Sequence, residues 1–386
     1  MTVRRGLPCL AMLAVAAVVF AAPAGGSTVN DSTAGSARPP LVLAVEGPQT
    51  GAQASNGLDQ LRGVKLAVRQ LDRYGGLWNG RRVVVRAADD QADAARARAV
   101  AQRVIGKGIH FLIGPYNSSV GVINLPIYRR HHVLPLWMTS LPATAGLGAT
   151  LQPMNPQVSP IEAGYVQGTG ATHVAMLVDE SANGAFTEGM ASRLRADLAK
   201  QGISTTTTGL QEGQSESYYA QRVADALSTR PDLVYVSTYF PEGAKIAAAL
   251  QSRGGAPRCL MGFANVDPGF LAETTRAQAQ RCVFSGVPAA PQMPSAAAYV
   301  RQYRAMFGKS PGVWGSFTYD SARILFRAIN AAQSFNIFAV ERQLRRTRNF
   351  AGATGPVTVN RRTGYRTNVP LSILRVNNQD TFVIDG

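Results

Sequence analysis

The chain has 386 residues, of which 46% are hydrophobic and 16% are charged. This composition is typical of a globular protein and excludes an intrinsically disordered chain, and the length is sufficient for two domains with separate cores. The formal net charge is +16. The basic residues are scattered, however, and the only compact group is the short run 345–348. Because a nucleic-acid footprint should be clustered, we expect no nucleic-acid partner.

The N-terminus has the three-part pattern of a secretory signal. Arg4 and Arg5 precede an apolar run over 7–22, and small residues suitable for cleavage follow at 22–24. The run is shorter than the roughly 20 residues of a bilayer span. We therefore expect residues 1–24 to be a signal peptide, 25–40 a flexible leader, and the mature protein to be soluble and exported. An uncleaved N-terminal anchor is the alternative.

Three cysteines occur in the chain. Cys9 lies inside the signal, upstream of most of the apolar run, which argues against lipid attachment. Cys259 and Cys282 remain in the mature chain, and an even number of cysteines in an oxidising compartment favours one disulfide. Two unpaired buried thiols are the alternative. No cysteine or histidine cluster has metal-ligand spacing, so we expect no metal site.

From residue 41 onward, short apolar runs alternate with amphipathic stretches. Strands are predicted at 41–47, 81–90, 110–114 and 133–137, with helices at 57–73, after the second strand, and up to about 130. A polar, proline-rich stretch at 152–160 predicts a break. Such alternation indicates a parallel sheet covered by helices.

The alternation then restarts. Strands are predicted at 172–179, 232–238, 258–263 and 281–287, with helices at 187–201 and 242–253. A second proline-rich break at 288–294 precedes helices at 295–307 and 317–333 and a strand-like tail. Two α/β blocks in succession predict two lobes with a cleft between them, in which ligands lie at the carboxyl ends of the strands. The segments expected there are 46–57, 114–119, 137–144 and the strand ends near 180, 238 and 263.

Signals of catalysis are sparse. The chain has no nucleophile elbow, P-loop, dinucleotide-binding glycine motif or zinc-protease motif. Its four histidines are predicted at strand starts or at the end of a helix, away from the cleft. Asp89 and Asp90 form a possible acid/base pair, but as neighbours before a helix they are expected to cap that helix and hold the loop.

The segment FLIGPYNSSV (111–120) ends a buried strand with an unusually polar turn. One interpretation is that Ser118 and Ser119 only cap the next helix. The other is an anion cradle, in which hydroxyl and backbone N–H groups at the helix start bind a ligand carboxylate. The two interpretations are compatible, because a helix start left open to a cleft is itself an anion site.

Several motifs in order resemble the leucine/isoleucine/valine-binding family of periplasmic solute-binding proteins, which serve ABC importers. The resemblance runs from about residue 41 to the C-terminus. No motif is decisive alone, but the series is strong. The motifs are EGPQTG (46–51), a glycine- and leucine-rich pattern over 63–80, ADD (88–90), GPYNSS (114–119), DESANGAFTEGM (179–190), VYVSTYFPEG (234–243), CLMGFAN (259–265), FTYDSARILFRAI (317–329) and FAGATGPVTVNRRTG (350–364).

The resemblance implies a type I periplasmic binding protein fold, in which two Rossmann-like lobes, each a parallel sheet flanked by helices, are joined by a three-strand hinge around a ligand cleft. It implies an N-terminal lobe of 41–157 with 288–367 and a C-terminal lobe of 158–287 with 368–386. The crossovers are expected near 153–160, 286–292 and 365–370.

The resemblance also implies a set of ligand-binding residues. Ser118 would bind a ligand carboxylate together with backbone N–H groups, and the strand end at 139–144 would add a carbonyl and a hydroxyl. Phe186 would close over the ligand from the second lobe, and Tyr239 matches a second aromatic. For both, a place in the lobe core is the alternative. Tyr116 and Asn117 also fit as residues that only shape the turn. The full set of expected contacts is Asn56, Tyr116, Asn117, Ser118, Ser119, Thr139, Ser140, Phe186, Tyr239, Asn265 and Asp267.

One position departs from the family. Its amino-acid binders hold the ligand ammonium with a glutamate after the strand that matches CLMGF, and here that position is Ala264, flanked by Asn265. A buried ammonium without a carboxylate partner is costly. Asp267 is the possible substitute. The sequence therefore favours a carboxylate, amide or similar small polar metabolite over a simple α-amino acid.

The function implied is a monomeric, non-enzymatic receptor without a cofactor that delivers a small solute to an ABC importer permease. A sensor of the same fold that signals to a membrane partner is the second hypothesis. A hydrolase built on Ser118 is the third, and it would require a histidine at the cleft.

Overall fold

The computed structural model describes residues 38–385, and the predicted signal peptide lies outside them. The first part of this chain alternates strands and helices that build a four-stranded parallel sheet in the order β2-β1-β3-β4. The elements are β1 (Leu41–Gly47), α1 (Ala54–Arg73), β2 (Val83–Asp89), α2 (Ala94–Gly106), β3 (Phe111–Ile113), α3 (Ser118–Arg130) and β4 (Leu134–Leu136). The central strands β1 and β3 are almost wholly apolar and buried, as expected for strands covered on both faces.

The second sheet has seven strands in the order β13-β12-β9-β8-β7-β5-β6. Five are parallel, as predicted, and the sheet continues at one edge with two antiparallel strands, since β12 runs antiparallel to β9 and β13 antiparallel to β12. Its strands are β5 (His173–Asp179), β6 (Ser204–Leu210), β7 (Leu233–Ser237), β8 (Arg258–Met261), β9 (Val283–Gly286), β12 (Ser372–Val376) and β13 (Phe382–Ile384). The helices between them are α4 (Asn155–Gly168), α5 (Ala185–Lys200), α6 (Glu216–Ser228), α7 (Phe240–Ser252), α8 (Pro268–Glu273) and α9 (Arg276–Ala279).

The segment between β9 and β12 returns to the first sheet. It contains α10 (Ala297–Phe307), α11 (Trp314–Ala332), α12 (Ile337–Leu344) and a hairpin of β10 (Phe350–Gly352) and β11 (Gly355–Val357). Helix α11 packs closely along α1, where a β-carbon on Gly63 would lie 2.0 Å from the carbonyl oxygen of Gly315. The chain thus passes between the two sheets after β4, after β9 and before β12. The lobe boundaries expected at 157/158, 287/288 and 367/368 stay predictions.

Four predicted or omitted segments need correction. The break expected at 152–160 is the entry and first turns of α4, with Pro156 in the first turn, where a missing N–H costs nothing, and Pro160 farther along. Strand β6 was missed because its threonine-rich sequence contains no apolar run and it lies at the sheet edge. Helices α6 and α12 were also missed.

Two further findings concern the described chain as a whole. The sulfur atoms of Cys259 and Cys282 are bonded, which links β8 to the residue before β9. Between residues 38 and 385, none of the helices is long and apolar enough to cross a membrane.

Candidate functional site

The carboxyl ends of strands from both sheets meet around one small, tightly closed cavity with a volume of about 10 Å³. Most of the side chains that line it come directly after β3, β4, β5, β7 and β8. Ligands of α/β proteins bind at this carboxyl-terminal edge of the sheet. All of the lining side chains are buried, with at most 5% of their surface exposed. The lining residues are Tyr116, Ser118, Ser140, Gln152, Phe186, Tyr239, Phe263 and Ala264.

Helix α3 begins at this cavity. Its N-cap residue Asn117 makes no side-chain cap hydrogen bond; its amide nitrogen donates to Gln53 Oε1 at 3.0 Å, and its Oδ1 is buried without a partner among the described residues. Within residues 38–385, the backbone N–H groups of Ser118, Ser119 and Val120 have no hydrogen-bond partner. The start of α3 is therefore an unfilled set of N–H donors next to the cavity.

The hydroxyl of Ser118 faces the neighbouring strand end. Its oxygen accepts hydrogen bonds from the backbone N–H groups of Ser140, at 3.3 Å, and Leu141, at 3.4 Å. The interpretation that this serine only caps α3 was wrong, because it is the first helical residue and makes no cap bond. Its proton stays available to a ligand.

In the segment that follows β4, Ser140 lines the cavity but Thr139 does not. The Thr139 hydroxyl pairs with Thr144 Oγ1 at 2.6 Å. Gln152 Nε2 donates to Ser140 Oγ at 2.8 Å, which orients the amide, and Gln152 Oε1 is buried without a partner among the described residues. Sequence reasoning missed Gln152 because it lies in the stretch that was interpreted as a break.

Aromatic rings form the opposite wall. Phe186 contacts Tyr239, with ring centroids 5.8 Å apart, and Phe263, at 5.0 Å. Trp314 backs this wall, 5.9 Å from Phe263 and 6.0 Å from Tyr116. Phe186, Tyr239 and Tyr116 thus belong to the cavity as well as to the core. Phe263 and Trp314 were missed, although Phe263 stands directly before Ala264 in the sequence.

The predicted contacts after β8 do not line the cavity. Asn265 donates to the carbonyls of Thr238, at 3.0 Å, and Gly262, at 3.1 Å, so it ties two strand ends together. Asp267 Oδ1 accepts from the backbone N–H of Gly269 in α8 and from Ser55 Oγ at 3.0 Å. Burial raises the pKa of Asp267 to about 6. Its Oδ1 is therefore engaged by Ser55 and Gly269, and Asp267 does not line the cavity.

Two further predicted contacts are buried and do not line the cavity. The side-chain nitrogen of Asn56 and the hydroxyl of Ser119 have no partner among the described residues. Two polar contacts connect elements of the two sheets near the site. One is the bond from Ser55 to Asp267, and the other joins the backbone N–H of Ala94 in α2 to Asn183 Oδ1 at 3.0 Å.

The remaining titratable candidates do not line the cavity. Asp93, not Asp89 or Asp90, caps α2, which corrects the predicted capping role. Asp89 holds the loop after β1 by accepting from Gln49 and Thr50, and Asp90 accepts from Ala92. No histidine belongs to the lining. Residues 38–385 contain no cluster of acids, histidines and cysteines able to hold a metal ion.

Residues 40–381 match the family model described as periplasmic binding protein. The chain belongs to this family, with the type I fold of parallel-stranded α/β sheets flanked by helices.

Comparison with individual proteins agrees with this assignment. The Leu/Ile/Val-binding protein BraC3 of Rhizobium johnstonii is 27% identical over 54% of this chain and 58% of its own length, which is less than two thirds. Leu/Ile/Val-binding protein homolog 2 of Brucella abortus is 24% identical over 82% of this chain and 85% of that protein. The structure of the leucine-binding protein LivK of Thermotoga maritima has a TM-score of 0.81 at 21% identity, with 90% of this chain and 98% of that one covered.

Proposed function

We propose that this protein is the extracytoplasmic solute-binding component of an ABC importer. It captures a small carboxylate-bearing metabolite between two closing lobes and delivers it to a membrane permease. The observation that carries the proposal is the buried cavity at the strand ends of both sheets, with the open start of α3 and the Ser118 hydroxyl at its edge. The names of the relatives, which are Leu/Ile/Val-binding proteins, support the solute-binding role.

In this proposal, Ser118 and the first N–H groups of α3 hold the carboxylate, Ser140 adds a polar contact, and Phe186 and Tyr239 enclose the apolar part. The protein acts as a monomer without a cofactor, and the predicted signal peptide exports it. A sensor that signals to a membrane partner uses the same ligand chemistry, so binding alone does not separate the two roles. A Ser118 hydrolase is disfavoured, because the cavity lining offers no histidine as a base.

Thermal unfolding in the presence of a broad panel of small metabolites tests the proposal. A solute at 100 times its Kd should stabilise the protein by about 2.7 kcal/mol. Mass spectrometry of small molecules that copurify with the native protein identifies the ligand independently. Failure of every solute to raise the unfolding temperature, with no copurifying molecule, would contradict the proposal. Uptake of the identified solute by cells with and without the gene then distinguishes transport from sensing.

A further inference from the structure

The cavity lining contains no charged side chain. Its polar members are two serines, a glutamine and two tyrosines, and the other three are apolar. The carboxylate of Asp267 lies outside the lining, and its Oδ1 already accepts two hydrogen bonds. A ligand ammonium at Ala264 would therefore be buried without a charged partner in the lining, which is unfavourable.

An anionic group has suitable partners in the same cavity. Among residues 38–385, the first N–H groups of α3 have no partner, and Ser118 uses its oxygen only as an acceptor, so its proton is available to donate. The nearby Ser119 hydroxyl is 2% exposed and has no partner among the described residues. These neutral donors bind a carboxylate without a basic side chain.

Gln152 indicates a second polar group that the ligand must carry, namely a hydrogen-bond donor. Its amide nitrogen is fixed by the bond to Ser140, which leaves Oε1 as a buried acceptor with no partner among the described residues, in a side chain only 3% exposed. A buried acceptor without a donor is unfavourable. A hydroxyl on the ligand satisfies this acceptor without introducing a positive charge into the uncharged cavity.

We infer that the cavity binds an apolar hydroxy acid, in which a hydroxyl takes the place of the ammonium of an amino acid. This inference rests on the proposed function and names its ligand class. The carboxylate lies at the start of α3, the hydroxyl donates to Gln152 Oε1, and the body of the ligand packs against Phe186, Tyr239 and Phe263. Both an aromatic and a branched aliphatic body fit this chemistry, and the experiment separates them.

Calorimetric titration with two matched series tests the ligand class. The aromatic series is phenyllactate, 3-phenylpropanoate and phenylalanine, and the branched series is 2-hydroxy-4-methylpentanoate, 4-methylpentanoate and leucine. The members of each series differ only in a hydroxyl, a hydrogen or an ammonium at one carbon. In at least one series we expect the hydroxy acid to bind about tenfold or more tightly than the amino acid, and more tightly than the unsubstituted acid.

Equal or tighter binding of the amino acid in both series overturns the inference, and so does a lack of binding by all six compounds. Neither result contradicts the proposed function, which depends on the broader metabolite panel and on copurification.

Two variants test the assigned residues. Gln152→Leu should remove the preference for the hydroxy acid over the unsubstituted acid while the latter keeps its affinity, and Gln302→Leu on the exposed face of α10 is the control. Ala264→Glu should shift the preference about tenfold or more toward the amino acid. If Ala264→Glu does not fold, as judged by its near-ultraviolet circular dichroism, Gln152→Leu remains a complete test. An unchanged hydroxyl preference in Gln152→Leu overturns the role of this glutamine.

Discussion

The hydroxyl of Ser118 bonds to the backbone of the next strand end and not to its own helix. Both bonds are long, at 3.3 and 3.4 Å, so they contribute little to folding compared with shorter hydrogen bonds. The same hydroxyl is the only side-chain donor at the start of α3 that also lines the cavity in residues 38–385. Its removal should therefore affect ligand binding more than stability.

Ser118→Ala should weaken binding of a carboxylate ligand by about 1–3 kcal/mol, because one charge-assisted hydrogen bond is lost. The unfolding free energy without ligand should change much less. Calorimetric titration and urea unfolding measure the two quantities. The control is Ser159→Ala, since Ser159 is also fully buried but bonds to Asp197 away from the cavity. A loss of ligand-free stability as large as the loss of binding would instead assign Ser118 a structural role.

Glu162 is a buried carboxyl group in α4 that accepts hydrogen bonds from Tyr235 and Ser285 of the second sheet. Burial raises its pKa from 4.5 to about 7, against the effect of these two donors. The folded state therefore keeps a proton that the unfolded state releases above pH 4.5. The contribution of this group to stability is fully present below that pH and is lost as pH rises toward 7.

Glu162→Gln should flatten the pH dependence of stability between about pH 5 and pH 7.5. The amide stays neutral throughout, so up to about 3 kcal/mol of pH-dependent loss should disappear. Part of the pH dependence of stability should remain in this variant, because burial also raises the pKa values of Glu46, to about 8, and of Asp90, to about 7. Urea unfolding at several pH values measures the effect. Glu188→Gln, at an exposed position in α5, is the control, and an equal flattening in that variant would assign the change to net charge.

At the scale of elements, the disulfide joins β8 to the start of β9, next to the segment that carries Phe263 and Ala264. The two cysteines are 23 positions apart in the sequence. In the chain-entropy description, closing a loop of this length in the unfolded state stabilises the protein by about 3 kcal/mol.

The double variant Cys259→Ser, Cys282→Ser should lower the unfolding free energy by about 3 kcal/mol and leave ligand affinity nearly unchanged. Urea unfolding of the oxidised protein, the reduced protein and the variant measures this difference. The reduced protein controls for the serine hydroxyls in the core. If the oxidised protein reacts with a thiol reagent at two cysteines after denaturation, the disulfide is not formed in solution.

Elements with a strong apolar pattern were predictable. Strand β1 was placed at 41–47, the bounds that it has in the structure, and the alternation of strands and helices indicated the correct α/β class. Strand β6 and the start of α4 were not predictable by the same reasoning. Strand β6 is an edge strand whose threonines lie partly in water, and α4 tolerates its prolines because tertiary packing holds the helix.

The site was predictable where strand ends carry it. Ser118, Ser140, Phe186 and Tyr239 follow predicted strands and line the cavity. Gln152, which lines the cavity, and Trp314, which backs its aromatic wall, do not follow strands. They reach the cavity because the chain crosses between the two sheets close to each of them in the sequence. Asn265 and Asp267 follow β8 closely, but they bond to backbone and to Ser55 instead. The direction of a side chain one or two residues after a strand depends on local turns, here a short 3₁₀ segment at Phe263–Asn265.

At the scale of the whole molecule, the chain is strongly basic but its cavity is lined by uncharged side chains. The formal net charge of the chain is +16, whereas the cavity lining is uncharged. A positive field attracts an anionic ligand over distances of about a Debye length, and salt screens this attraction. The neutral hydrogen bonds inside a closed cavity are not screened in this way.

Salt should therefore slow the association of an anionic ligand severalfold between 10 and 300 mM ionic strength, as estimated from Debye screening, and leave its dissociation nearly unchanged. Stopped-flow fluorescence measures both rates, with Trp314 next to the cavity as the reporter. The amide of the same acid is an uncharged control and should show little effect of salt on association. A dissociation rate that rises equally with salt would indicate a charged side chain in contact with the ligand.

The burial of the cavity has a kinetic consequence. Because every lining residue is at most 5% exposed, a bound molecule would be enclosed in this arrangement, in which bonds from Ser55 to Asp267 and from Ala94 to Asn183 connect elements of the two sheets. Its residence time then cannot be shorter than the lifetime of this closed arrangement. Two ligands of different affinity that both escape as soon as the cavity opens would therefore leave at the same rate.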